Sequence, residues 1–456
     1  MRRANPYGFV LLALTAGCFN PTEQTPDGDT DGPETSSSTA ADPSNPSESA
    51  TGTSAGSMTA ADGTSTGSTT SSASTGEQDS TSDDGSTDTG SSSSGESQPL
   101  LCGDGIAAPG EVCFDDASVL NAGDIGYSPR VGDVNSNGNV DLVYLYGDQV
   151  VVRLGDGAGG FGPELTDETL YCDQMELVDV NGDGDLDVVG TSMFDDFLTV
   201  ALGTGTGSFT LQATSTILSG NPVQLVAGNL TGDNNPDVVS IHGTAFGGTG
   251  GARVLAADGM GGFSSSDFVS TGSAAGRDVA LGDFTGDGVL DVVLTIATGT
   301  SQVRIAVNNG AGQFGQSLVV NTTTSDASGV ATGDFNDDGD DDIVVGNGPD
   351  VLVLLGTGAA AFENAVSLSV AAHATRVAVA DVTNDGIDDI IAVYDNAATV
   401  SVFPSAGDGT FGERVDFTIG AASDSLSTGD VNDDGIPDLV VGSTSDELIT
   451  VLISTP

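Results

Sequence analysis

One acidic nonapeptide recurs seven times along this chain, always immediately before an apolar run. The copies are DVNSNGNVD (133–141), DVNGDGDLD (179–187), NLTGDNNPD (229–237), DFTGDGVLD (283–291), DFNDDGDDD (334–342), DVTNDGIDD (381–389) and DVNDDGIPD (430–438). Their starts are separated by 46, 50, 54, 51, 47 and 49 residues. That is the range of periods in which four-stranded propeller blades repeat. Each copy runs into an apolar segment such as DLVYLY, DVVLTI, DIVVGN or DLVVGS, then a second such as VVVRLG, VLVLLG or TVLIS. Runs of this length bounded by turn residues read as strands.

A second landmark keeps time with the first. Glycine-rich turns close on Phe161, Phe209, Phe263, Phe314, Phe362 and Phe411, each 18 to 20 residues before the next acidic motif. Six turns serve seven motifs, because the chain stops at Pro456 just after LITVLIS. The missing partner stands at the other end, where Phe114 precedes Asp133 by 19 residues. The expectation is an all-β, seven-bladed propeller of four-stranded blades over residues 114–456, its N-terminal strand closing the last blade so that few strand edges stay open. Composition agrees: Gly, Val, Thr, Ser and Asp dominate and tryptophan is absent, which favours strands and tight turns over long surface helices.

Within the nonapeptide, D-x-[DN]-x-[DN]-G matches the front half of an EF-hand loop. Positions 1, 3 and 5 give side-chain oxygens, glycine at 6 permits the sharp turn, and position 7 gives a backbone carbonyl. An aspartate at position 9 would complete the shell. The candidate metal ligands are therefore Asp133, Asn135, Asn137 and Asp141 in the first loop and Asp179, Asn181, Asp183 and Asp187 in the second. The third and fourth loops offer Asn229, Thr231, Asp233 and Asp237, then Asp283, Thr285, Asp287 and Asp291. Asp334, Asn336, Asp338 and Asp342 follow in the fifth, Asp381, Thr383, Asp385 and Asp389 in the sixth, and Asp430, Asn432, Asp434 and Asp438 in the seventh. Position 6 is glycine except in the third loop, where Asn234 is the other residue type that tolerates positive φ. Two carboxylates ~4 Å apart repel by about 4 kcal/mol at an effective dielectric near 20, so loops holding three call for a counter-ion. With no His or Cys in the set, the ion is a hard dication, calcium, and zinc is excluded. Up to seven ions are expected, foremost in the five loops with three aspartates at these positions; for the first and third the alternative is an empty Asx-type turn.

Over residues 114–456 the chain resembles FG-GAP/VCBS repeat proteins, such as the N-terminal propeller of integrin α subunits. The resemblance implies the propeller fold and calcium in the loops. It says less about function, because the family spans adhesion receptors, lectins and domains attached to enzymes.

The N-terminal residues 1–17 read as an export signal: Arg2 and Arg3, a ten-residue apolar run too short to span a bilayer, then Gly17. LTAGC resembles the lipobox of bacterial lipoproteins, which implies acylation at Cys18 and an anchor at the outer membrane or cell surface. Thr15 departs from the usual leucine there, and a plain signal peptide is the alternative. Residues 18–98 are almost wholly Ser, Thr, Gly, Ala, Asp and Pro, a disordered tether with too few apolar groups to offset the entropy of ordering. GTSAG and GTSTG within it fit G-x-S-x-G but lack the flanking strand and helix that motif needs. Residues 99–113 form an entry segment containing CGDGIAAPGEVC, similar to a cysteine motif of myxobacterial surface proteins. In an exported chain Cys102 and Cys113 are expected to pair, leaving Cys172 as a small buried residue.

The formal charge of −57, with nine arginines and no lysine, excludes nucleic acid and anionic lipid as partners; membrane contact is through the acyl anchor alone. Neither His242 nor His373 sits in a catalytic pattern. Arg153, Arg253, Arg304, Arg376 and Arg414 are candidates for an acidic ligand. Tyr127, Tyr144, Tyr146, Tyr171 and Tyr394 are candidates for sugar stacking. The functional expectation is a calcium-binding, lipid-anchored envelope module that binds a protein or glycan without catalysis. The alternative is a propeller hydrolase or lyase of phytase-like or polysaccharide-acting type.

Overall fold

The structure, a computed structural model, describes residues 111–455 except 116, 122–125, 148, 168–171, 193–196, 213–215, 219, 244–249, 273, 298–301, 316, 322–325, 444–445 and 447. The export signal with Cys18, the tether and most of the entry segment, Cys102 included, lie outside the described residues. Among those described there are strands and turns and no α-helix.

Each acidic motif joins two antiparallel strands of one sheet. In the fourth repeat, Ala275–Gly282 runs into the motif at 283, and the motif's last residue opens Asp291–Ala297; Gln302–Ala306 and Leu318–Asn321 complete the sheet in that order. Second strands such as Asp237–His242, Asp389–Tyr394 and Asp438–Ser443 are buried along their whole length. A sheet covered on both faces leaves no solvent side for alternation, which is why these strands read as unbroken Val/Ile/Leu runs.

The expectation of seven separate four-stranded blades is corrected by the hydrogen bonding. There are five four-stranded blades, the second carrying an additional short strand, Phe209–Leu211, off its main path, and one six-stranded sheet. That sheet runs Ala327–Gly333, Asp342–Leu354, Val366–Ala380, Asp389–Tyr394, Ala397–Phe403 and Val415–Thr418, so the fifth and sixth acidic motifs share it. The reason is local: the stretch 366–380, VSLSVAAHATRVAVA, contains neither glycine nor proline. It therefore continues without a break from an outer position, pairing Val366 with Val353, to an inner one, pairing Ala380 with Asp389. Repeat spacing counts motifs; it does not say where a strand stops.

The two ends of the chain meet in one sheet. Ser118–Asn121 pairs antiparallel with Leu448–Leu452, Ser118 opposite Val451, and Phe114 bridges Ser454. The next junction is apolar: Leu142, Tyr144 and Val151 of the first sheet pack with Val440, Ile449 and Val451 of the last. Comparable clusters join the first sheet to the second, the second to the third and the third to the fourth. Polar links join inner strands as well, Arg130 to Glu176 at 2.8 Å and Arg376 to Asp278 at 3.5 Å. Cys172 is a buried thiol within the core between the first and second sheets.

Since closure depends on this last apolar junction, Ile449→Ala should lower the unfolding free energy by about 2–5 kcal/mol. Val119→Ala on the exposed side of the same sheet should change it by less than about 0.5 kcal/mol, both measured by urea unfolding.

Candidate functional site: the acidic loops

The loops are built outward from position 9. Asp141, Asp187, Asp237, Asp291, Asp342, Asp389 and Asp438 are completely buried. In each, one carboxylate oxygen accepts the backbone N–H of position 2 in its own motif: Val134, Val180, Leu230, Phe284, Phe335, Val382 and Val431, at 2.8–3.3 Å. The other accepts an N–H from the strand that returns after the hairpin: Gly155, Gly203, Ala257, Asn308, Gly356, Ser405 and Ser454, at 2.6–2.9 Å. The residue that supplies this second bond is the one that pairs with the landmark phenylalanine, as Asn308 with Phe314 and Gly356 with Phe362. Ser454 is paired in the same way with Phe114. One carboxylate thus ties the start of the loop, its own strand and the glycine-rich turn together.

Position 1 organises the loop from its exposed end. Asp133 accepts the N–H groups of Asn135, Asn137 and Gly138, and in every loop but the third the carboxylate at position 1 takes the N–H of the glycine at position 6, at 2.6–2.9 Å. In the third, Asn229 accepts from Gly232 instead. Position 6 has φ between 81° and 91° where it is glycine and 68° at Asn234. No atom lies within 4 Å of where a Cβ would stand on Gly435, so conformation alone selects glycine there. Position 5 accepts the N–H of position 7 in all seven loops, at 2.7–3.0 Å.

The structure therefore draws positions 1, 3 and 5 together. Asn181, Asn336 and Asn432 donate from Nδ2 to the carboxylates of Asp183, Asp338 and Asp434 at 2.8–2.9 Å. Position 9 lies behind them on its two backbone N–H groups, joined in the first loop by Asn135, whose Nδ2 donates to Asp141 at 2.9 and 3.1 Å; among the described residues no three His, Cys, Asp or Glu side chains stand as a ready metal cluster. The charges nonetheless act on one another. Burial pushes Asp187, Asp291 and Asp342 up to about 6 and Asp389 to about 7; the aspartates at positions 1 and 5 push the first three further in the same direction, and Asp385 at position 5 does so for Asp389. Asp141 and Asp438 are raised too, first by burial. Oxygen-only donors that repel one another across a loop fit a hard divalent cation.

Neighbouring repeats interlock through the second landmark. Gly207 of the glycine-rich turn donates to the Val134 carbonyl of the preceding loop at 2.9 Å, Gly312 to Leu230 at 2.9 Å and Gly409 to Phe335 at 3.0 Å. Gly159 of the first turn donates to Val431 of the last loop at 3.2 Å. Sequence reasoning missed Asp341 and Asp388, at position 8 of their motifs. Burial raises both, and each accepts a backbone N–H from the preceding loop. The signal was an acidic residue where the other motifs have Val, Leu or Pro.

The other candidates are largely absorbed by structure. Arg153 pairs with Glu164 and Arg414 with Asp416, while Arg253 lies over Phe268 at 5.5 Å and donates to the Leu218 carbonyl. Tyr144 and Tyr394 are buried, their hydroxyls donating to Glu164 and Ser401; burial pushes Tyr144 up to about 12. His242 is buried, and His373 Nε2 lies 2.8 Å from Asp326. Cys113 is buried and disulfide-bonded.

Comparison with known proteins returns the repeat itself. A model of the FG-GAP-like repeat matches residues 179–240, 294–345, 334–392 and 381–441. No curated protein matches the chain. Among solved structures, a lectin from Burkholderia pseudomallei is similar at 17% identity and TM-score 0.55, over 72% of this chain and 95% of that one. BBS1N, in complex with ARL6DN, is similar at 11% identity and TM-score 0.52, over 75% and 97%. A lectin from Agrocybe aegerita, described as recognising non-reducing terminal N-acetylglucosamine, gives 19% identity and TM-score 0.49, over 73% and 86%.

Two outcomes follow from the loop geometry. Gly435→Ala should destabilise by about 1–2 kcal/mol through strain at φ 90°, read from denaturant midpoints. In chelator, the raised aspartates keep protons in the folded state that the unfolded chain releases near about pH 4, so stability is greatest in acid and falls as pH rises through about 6–7. A denaturation midpoint lower at about pH 8 than at about pH 5 checks the sign.

Proposed function

Because the chain is a β-propeller carrying FG-GAP-like repeats, we propose that it is a calcium-binding module of the cell envelope, lipid-anchored through Cys18, that binds a protein or glycan and is not an enzyme. The observation that carries the reading is the gathering of side-chain oxygens at positions 1, 3 and 5 around one turn, above a position 9 carboxylate that burial first, and then the aspartates at positions 1 and 5, push upward in the second, fourth and fifth loops. Side-chain oxygens at positions 1, 3 and 5 and the carbonyl at 7 would hold the ion, and the aspartate behind them adds its charge. When bound, calcium supplies the positive charge that the loops lack. The chain's own residues fix the loop to the sheet beneath through the carboxylate at position 9.

Support for the binding role comes from the tether read between anchor and propeller and from the lectin among the folds it resembles. With no lysine in the chain, a phosphate-handling face is disfavoured.

Sites formed only in the folded state lend their binding free energy to folding, about 2.7 kcal/mol per site at a hundredfold excess over Kd. Calcium should therefore raise the melting temperature and chelator should lower it. A melting temperature indifferent to both would overturn the calcium reading. Glycan arrays and envelope pull-downs with and without chelator test the binding role; turnover of phytate, phosphoesters or polyuronates would replace it with an enzymatic one.

A further inference from the structure

Position 8 of the acidic motif is where one loop reaches the repeat before it. The inner strands Gly126–Gly132, Pro222–Gly228, Ala275–Gly282 and Ala327–Gly333 end in glycine. A Cβ on Gly132 would stand 2.6 Å from Leu186, at position 8 of the next motif, and one on Gly228 would stand 3.1 Å from Leu290. Leucine caps the glycine in those repeats. On Gly282 and Gly333 the nearby atoms include Asp341 Oδ2 at 3.0 Å and Asp388 Oδ2 at 2.8 Å. The same place is filled by a carboxylate.

The exchange adds a bond that leucine cannot make. Asp341 of the fifth loop accepts the backbone N–H of Asp283 at 2.5 Å, and Asp388 of the sixth accepts that of Asp334 at 3.3 Å. Asp283 and Asp334 are position 1 of the fourth and fifth loops, and their carboxylates receive the N–H groups of Gly288 and Gly339 that shape those loops. The first residue of the fourth loop is therefore held by the fifth, and that of the fifth by the sixth. Position 8 is Val, Leu or Pro in the remaining motifs.

We propose that Asp341 and Asp388 couple the fourth, fifth and sixth loops, so that these three take up divalent cations cooperatively. The proposal rests on the calcium reading above and concerns its regulation. An ion in one loop orders residues 7 to 9 of that motif, hence the carboxylate at position 8, hence the backbone at position 1 of the loop before. Part of the ordering that the second ion would require is then already met, which is positive coupling without a change of fold.

Calcium isotherms on the full chain, with ion counts from native mass spectrometry, test it. The wild-type curve should contain a steep component, with coupling on the order of 5- to 100-fold. Asp341→Leu with Asp388→Leu, which installs the side chain of the second and fourth loops, should flatten that component and leave the number of ions unchanged. Asp341→Ala with Asp388→Ala removes the acceptor without added bulk and should do the same, should the leucine variant not fold. Asp341→Asn with Asp388→Asn keeps an acceptor oxygen and should retain the steepness. Calcium uptake by independent sites in the wild type, or an equally steep curve in the leucine and alanine variants, would overturn the coupling and leave the calcium reading standing. No uptake at all would overturn both.

Discussion

A buried carboxylate that accepts two backbone N–H groups, one from each side of a hairpin, is the interaction on which this propeller is assembled. It occurs seven times, at the first residue of the second strand in every repeat. Isolated in apolar surroundings, an ionised aspartate is strongly disfavoured. Here the two N–H bonds offset part of that penalty, yet burial still raises most of these groups. The fold thus places negative charge in its interior at a place where backbone donors alone do not fully stabilise it. Cation binding in the loop above, as proposed, would act on the same imbalance.

From that anchor the rest follows outward. Position 2 is pinned from below and its side chain enters the core, as Phe284 and Phe335 do. Its carbonyl then faces the following repeat, where the glycine-rich turn donates to it. The phenylalanine that closes each turn pairs with the residue bonded to the buried aspartate, and Phe284–Phe362 and Phe335–Phe411 bring rings from adjacent repeats within 6.0 and 5.6 Å. Loop, turn and apolar seam are one connected unit. Ring closure uses the same parts, with Phe114 pairing with Ser454 and Gly159 donating to the Val431 carbonyl of the last loop.

The arginines belong to the scaffold more than to a ligand surface. Of the five candidates, Arg153, Arg376 and Arg414 face carboxylates and Arg253 is stacked on Phe268 and bonded to a carbonyl. In a chain with 66 acidic residues against nine basic ones, each cation is surrounded by acceptors, so structural pairing is what the composition favours. Among the described residues no ion pair falls on the acidic loops.

The sequence by itself determined the all-β class, the phase of the loops against the strands, the positive φ at position 6 and the meeting of Phe114 with the chain's end, because each is written in residue type at fixed spacing over a few residues. Asn234 in place of glycine was legible for the same reason. Tertiary structure alone decided the sheet boundaries: whether 366–380 breaks into two strands depends on hydrogen bonds to 351–353 and 389–394, far apart in sequence, and spacing carries no record of them. It also decided that position 9 takes backbone N–H groups from both sides of its hairpin, and that Asp341 and Asp388 reach into the preceding loop. Those outcomes depend on which donor lies nearest once adjacent repeats pack, a distance that no single repeat contains.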